Sequence, residues 1–330
     1  KFVGNNNMAD AAGTVNVNIS AVAKVEKNGS TTYVGNLEDA FKTENDGATI
    51  TLLDNVKMTK SIDISAGSFT LDLNGYTVSS TAAQTYYVIN GGITIKDSGT
   101  GGKIQCEGKG IEIRGGIVSV ESGTVSGYYG VEISGGTVAI SGDAVISGGD
   151  TGLRVTDAGK ATLSGGTFSG TAAITANNYG SVTLKNLLAE GYAYHRNNLP
   201  VTKAEGWVDS NTWGGGVSLD TKATLTGTVT VKKCNHTGEG VCEYTHATST
   251  TTHQQTCLAC GKKWDEENCS YADSRCACGS TLSVALAGTE RLIYDGNPRE
   301  PGVTVTLDGT KLAETDYGVT YANNINAGTD

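Results

Sequence analysis

Five segments of the chain repeat one pattern: GGITIKDSGTGGKI from Gly91, GGIVSVESGTVSG from Gly115, GGTVAISGDAVISG from Gly135, AGKATLSGGTFSG from Ala158 and YGSVTLKNLLAEG from Tyr179. Gly91, Gly115, Gly135, Gly159 and Gly180 lie 24, 20, 24 and 21 residues apart, a spacing too long for a heptad and suited to one coil of a solenoid. Apolar side chains alternate within the units, as Ile93 with Ile95, Val118 with Val120 and Val138 with Ile140, while Gly, Ser, Asn and Asp gather where the chain turns. No helix-period run of ten residues separates one repeat from the next, so crossover helices cannot join the strands as they do in doubly wound α/β proteins. The expected fold is all-β, a parallel β-helix whose coils of three short strands stack directly on one another. Residues 48 to 231 supply roughly eight rungs on this reading, and the glycine pairs at 91, 115 and 135 serve as corners with φ > 0.

The two ends of such a stack need covers. Upstream, Asn36 is a good N-cap, Glu38 and Asp39 fall in the first turn, and Leu37, Ala40 and Phe41 can face the first rung of a short capping helix. Downstream, GYAYHRNNLP and the Trp207 to Trp213 stretch interrupt the repeat before VSLDTKATLTGTVTVKK returns to strand pattern, which reads as a terminal cap or an edge insertion.

Stacking the rungs on their corner glycines places Val88, Glu112, Glu132, Arg154 and Thr175 in one outward column, with Arg114, Ser134 and Thr156 in the next. Glu112 and Glu132 then stand about 4.8 Å apart, close enough to repel, to share a proton or to hold a calcium ion. Arg154 and Arg114 can equally neutralise them, leaving a solvated charge ladder. Fourteen Tyr stand against four Phe, and Tyr86, Tyr87, Tyr128 and Tyr129 are candidate ligand-binding residues. Exposed rings of this kind stack on sugar faces; the alternative is that they stack on each other or seal the cap. His195 has no acid or nucleophile at a motif spacing, Cys106 reads as a core residue, and no HExxH, GxSxG or GKS/T sequence occurs. No residue is assigned a catalytic role.

Three prolines, 46 glycines and a net charge of −10 describe a polar, turn-rich chain without the basic stripe that nucleic acid requires. No apolar run approaches the roughly 18 residues that span a bilayer. At Lys232 the composition changes. Seven of the eight cysteines and three of the four histidines fall between Cys234 and Cys278.

Cys257 and Cys260 form a CxxCG knuckle, and Cys276 and Cys278 a tighter CxCG, turns that aim two thiolates at one ion as structural zinc sites require. The candidate ligands are Cys234, His236, Cys242, His253, Cys257, Cys260, Cys269, Cys276 and Cys278, with His246 in reserve, enough for one or two structural zinc ions. Disulfides are the competing reading, although an odd count leaves one thiol over and neither CxxC nor CxC bridges easily. From Thr281, alternating strands separated by YDGNP, LDGT and NNINAG read as a β-sandwich. The domains expected are a cap over 1–47, the β-helix over 48–232, a Cys/His module over 233–280 and a partial sandwich over 281–330.

The stretch GNLEDAFKTENDGATITLLDNVKMTKSIDISAGSFTLDLNGYTVSS, the GGTVxISGGTxSG theme and LLAEGYAYHRNN resemble the right-handed β-helix modules of large surface proteins from Gram-positive, mostly gut-dwelling bacteria. The Cys/His block resembles the repeats HxxxCxxCG and HxYxxxxCxxCG of the same proteins: His253, Cys257 and Cys260 match the first half. Cys269, Cys276 and Cys278 match the second, with Cys where that pattern has His and one residue missing between the last two. YDGxPxxPxVTV and TDYxVTYxNNxNAGT resemble bacterial immunoglobulin-like stalk domains, and the stop at Asp330 reads as a boundary within a longer stalk. The resemblance implies a monomeric part of a longer multidomain protein, extracellular and displayed on a bacterial surface. Its expected role is adhesion or binding of a host or dietary glycan or a surface protein. A carbohydrate-active lyase or hydrolase and a structural spacer are the alternatives.

Overall fold

The computed structural model describes residues 20–178, 187–197, 199–201, 221–237, 241–246, 251–286, 297–298 and 300–322. Tyr179 and Gly180 of the fifth repeat, the Trp207 to Trp213 stretch, the core of the YDGNP turn and the NNINAG turn lie outside these residues. The chain divides into two compact units, Lys1–Cys234 and Asn235–Asp330.

The first unit is a parallel β-solenoid of about six turns. Each turn contributes one short strand to each of three faces, and alternation sends every second side chain inward. On the first face Ile50, Leu71, Ile95, Val120, Ile140, Leu163 and Leu188 stack in register. On the second, the column is Val56, Val78, Ile104, Val125, Ile146 and Phe168; on the third, Ile62, Tyr86, Ile111, Val131, Leu153 and Ile174. Apart from Leu188, all of these side chains are buried, and at about 1.5–3 kcal/mol for each large apolar side chain they form the dominant stabilising term.

Both ends of the stack are closed by antiparallel strands. Ala23–Lys27 pairs with Thr49–Leu52 on one edge and with the hairpin partner Ser30–Val34 on its other. The helix Leu37–Ala40 follows, its Asn36 side chain accepting a hydrogen bond from the Glu38 amide at 3.2 Å. Leu37 and Ala40 are buried, and the Phe41 ring meets Phe69 and Tyr86 edge-on at 5.3 and 5.6 Å. At the far end Thr221–Thr226 runs antiparallel to Ala172–Asn178, and Val229–Lys233 antiparallel to Lys160–Ser169 and Tyr192–Arg196. These strands cap the edge instead of adding further parallel rungs, which is why the turns number about six and not eight. His195, in the GYAYHRNNLP segment read as a terminal cap or edge insertion, sits inside that cap at 5% exposure.

The corners differ in detail from the expectation. In the pairs at 115 and 135 the positive φ belongs to the second residue, Gly116 (+72°) and Gly136 (+73°), and in the pair at 91 to neither. Gly115 is required for a different reason: a Cβ there would lie 1.9 Å from the Ile89 carbonyl oxygen of the adjoining turn.

In the second unit, Cys242–His246 and Thr252–Cys257 form an antiparallel pair joined by Glu267–Asn268. Leu282–Leu286, Val303–Leu307 and Thr310–Lys311 form a second antiparallel sheet, with Asp308 and Gly309 at positive φ in its tight LDGT turn. Among the described residues no helix is long and apolar enough to cross a membrane.

Candidate binding flank and candidate metal centres

On the third face of the solenoid the outward column reads Asp63, Tyr87, Glu112, Glu132, Arg154 and Thr175. Tyr87 holds the place assigned to Val88, which points inward and is fully buried. Glu112 and Glu132 are paired across adjoining turns as expected, yet they are only 6% and 9% exposed, because a shell of cations and rings covers them.

Lys109 Nζ lies 3.1 Å from Glu112 Oε1 and also contacts Glu132 Oε2. Arg114 Nε donates to Glu112 Oε1 at 2.9 Å, and Arg154 Nη1 to Glu132 Oε1 at 2.7 Å. Each guanidinium also rests on a ring: Arg114 lies 5.5 Å from the centroid of Tyr87, and Arg154 4.8 Å from that of Tyr129. Burial works against the Lys109 charge, but hydrogen bonds to Glu132 and Glu112 outweigh it and raise its pKa. The Arg114 pKa rises through its hydrogen bond to Glu112. The ammonium of Lys109 thus stands between the two carboxylates, where a shared proton or a calcium ion would have to be.

The tyrosines divide by strand parity. Tyr87 and Tyr129 lie partly buried on the flank, and Tyr128 is 52% exposed, its ring edge-on to Tyr129 at 4.8 Å. Tyr86 faces the other way, stacked between Ile62 and Ile111, fully buried and with no hydrogen-bond partner for its hydroxyl among the described residues. Burial raises its pKa. Its place among the exposed ligand-binding candidates is therefore corrected: it is a core residue. Cys106 is buried and its thiol donates to the Ala82 carbonyl at 3.1 Å.

The Cys/His candidates from Cys234 onward fall into two groups. One comprises Cys234, His236, Cys257 and Cys260, the other His253, Cys269, Cys276 and Cys278, and within each the ligand atoms all lie within 4.8 Å of one another. Either group could hold a metal ion. The Cys269 and Cys278 sulfurs are 3.8 Å apart, which matches the edge of about 3.8 Å of a tetrahedron with 2.3 Å metal–sulfur bonds and far exceeds the roughly 2.0 Å of a disulfide. The mixed edges agree: 3.7 Å between Cys260 Sγ and His236 Nδ1, and 3.2 Å between Cys276 Sγ and His253 Nδ1. No disulfide joins any of the eight cysteines.

The surroundings orient these ligands. Gly261 at φ +79° and Gly279 at φ +91° close the two knuckles. The Lys262 amide donates to Cys260 Sγ, and the Trp264 ring packs edge-on to His236 at 5.1 Å. Burial opposes ionisation of Cys278, but hydrogen bonds to the Ser280 hydroxyl and amide outweigh it and hold the thiol at about 7. Ser280 in turn bonds His246 Nε2. Burial and the neighbouring sulfurs push the Cys269 thiol up to about 12.

Two assignments change. His253 does not serve with Cys257 and Cys260. It lies on the strand Thr252–Cys257, where four residues span about 13 Å, too far for one ion, and His236 takes its place. Cys242 falls outside both groups. His236 adopts φ +57°, a turn that no spacing rule announces. No protein-family model, curated protein or solved structure matches this chain.

Proposed function

We propose that the chain is a non-enzymatic binding module of a Gram-positive bacterial surface protein, in which the flank around Tyr87, Arg114, Tyr128, Tyr129 and Arg154 takes a host or dietary glycan. The observation that carries this reading is the pair of arginine–tyrosine stacks on turns about 10 Å apart, set on a rigid ladder beside exposed Tyr128. Rings offer stacking faces to a sugar, and guanidinium edges that are not engaged with carboxylates offer donors to its hydroxyl or carboxylate groups. Glu112 and Glu132 are each bound by two cations, which favours a supporting role for them over acid–base chemistry. The small module is a structural joint, and the ion we assign to each of its Cys/His groups is zinc, which suits closed sites of thiolate and imidazole donors.

A glycan array probed with the full chain, followed by calorimetry on the best ligand, tests the proposal. Binding that drops at least tenfold in Tyr87→Ala/Tyr129→Ala supports it. Unaltered binding in that variant places the ligand elsewhere. Cleavage of a polysaccharide that is lost in Glu112→Gln would replace this reading with a lyase or hydrolase, and no binding at all with a spacer. Elemental analysis of the natively purified chain should return two zinc ions.

A further inference from the structure

Cys242 stands opposite Cys257 in the antiparallel pair of Cys242–His246 with Thr252–Cys257. The Leu258 amide donates to the Val241 carbonyl at 2.7 Å, whereas the Cys257 amide turns away to Lys262 at 2.8 Å. The two cysteines therefore occupy a non-hydrogen-bonded pair, in which opposed Cα atoms are about 4.5 Å apart and the side chains approach most closely. That separation lies within the range of about 4.4–6.8 Å that a disulfide tolerates without moving the backbone. Cys242 is partly exposed and its thiol lies 3.6 Å from the His236 carbonyl, while Cys257 is fully buried. A ligand of the first centre thus has a fourth sulfur beside it, on a strand of fixed register, beyond the three thiolates and one imidazole that complete a four-coordinate site.

We propose that Cys242 and Cys257 form a peroxide-sensitive thiol pair whose oxidation to a disulfide ejects the metal ion from the first Cys/His centre. The inference rests on the reading of that group as a metal centre. Hydrogen peroxide is the oxidant. Its O–O bond breaks as the Cys242 sulfur takes a hydroxyl group, giving a sulfenic acid and one water. The Cys257 thiolate leaves the metal and attacks that sulfur, forming the S–S bond and expelling hydroxide. Peroxide gains two electrons, the two sulfurs lose two, and the divalent ion departs because a disulfide sulfur has no thiolate charge to offer it. The second centre has no such neighbour: all three of its cysteines are ligands.

The test uses the full chain, purified reduced and metal-loaded, treated with hydrogen peroxide in the presence of a chromogenic chelator and then mapped by non-reducing peptide mass spectrometry. The expected result is release of one of two ions, a Cys242–Cys257 cross-link, and at least tenfold slower release in Cys242→Ser, with circular dichroism showing that the variant is folded. Release from Cys242→Ser at the wild-type rate, or cross-links that join other cysteines, overturns the switch and leaves the metal centre standing. A reduced chain that carries no metal before oxidant is added overturns the metal reading and the release mechanism together.

Discussion

His253 and Cys257 stand four residues apart on one strand, and each belongs to a different ligand group. On the metal reading proposed above, the strand is a shared beam between the two candidate centres. His253→Ala should lower the metal content from two ions to one and leave the ion held by Cys257 and Cys260 in place. Elemental analysis after gel filtration reads this directly. Loss of both ions would mean that the two groups load as one cooperative site.

The ammonium of Lys109 is the common partner of Glu112 and Glu132. Lys109→Met keeps most of the side-chain volume and removes the charge, so two nearly buried carboxylates face each other across one turn. Each carboxylate keeps its arginine, so the loss stays below the roughly 3–5 kcal/mol of an uncompensated buried charge, and adding Glu112→Gln/Glu132→Gln should recover part of it. Urea denaturation of the wild-type chain and the two variants measures it. An equal loss in Lys109→Met and in the triple variant would place the contribution of Lys109 in packing instead.

The solenoid is legible in the sequence because its two signals, a glycine period near 20–24 and alternating apolar residues, are local. The stacking register is less so. Aligning Gly91 with Gly115 puts Val88 beneath Glu112, whereas the ladder pairs Gly92 with Ile117 and hence Tyr87 with Glu112. One residue of slip in a strand exchanges the inner and outer faces, which is why Tyr86 reads as exposed in the sequence and is core in the fold. The terminal cap is legible as strand but not in direction, since alternation is the same for parallel and antiparallel neighbours. The candidate metal ligands are legible as a set, because Cys and His are rare and clustered here. Their grouping is not, because it depends on the extended strand that separates His253 from Cys257 and on the turn at His236.

Gly115 and Gly101 separate crowding from backbone strain. Gly101 has φ +83° and nothing lies within 4 Å of where a methyl group would stand, so Gly101→Ala should cost only the strain of a left-handed residue, about 1–2 kcal/mol. At Gly115 the obstacle is the carbonyl of Ile89 on the next turn, and the solenoid backbone cannot yield without breaking its ladder. Gly115→Val should therefore fail to give a folded solenoid, as judged by circular dichroism and limited proteolysis. A Gly115→Val protein as stable as Gly101→Ala would show that the turns can shift apart locally.

His195 gives the solenoid cap a predictable response to acid. Its Nδ1 lies 3.0 Å from the Ala193 carbonyl and acts as the donor when the ring is neutral. Burial lowers its pKa from the ordinary 6.5, only partly offset by that hydrogen bond, and the charge of Lys232 lowers it further. As pH falls through 6.5 the unfolded chain takes up a proton that the folded cap refuses, so stability falls. The slope is at most about 1.4 kcal/mol per pH unit, and the loss levels off below the folded-state pKa. Above 6.5 the residue contributes no pH dependence. Urea midpoints at pH 7.5 and pH 5.0 should therefore lie further apart in the wild-type chain than in His195→Gln, whose side chain has no proton to gain. Equal separations would mean that His195 ionises alike in the folded and unfolded chains, and that the cap opens to water around it.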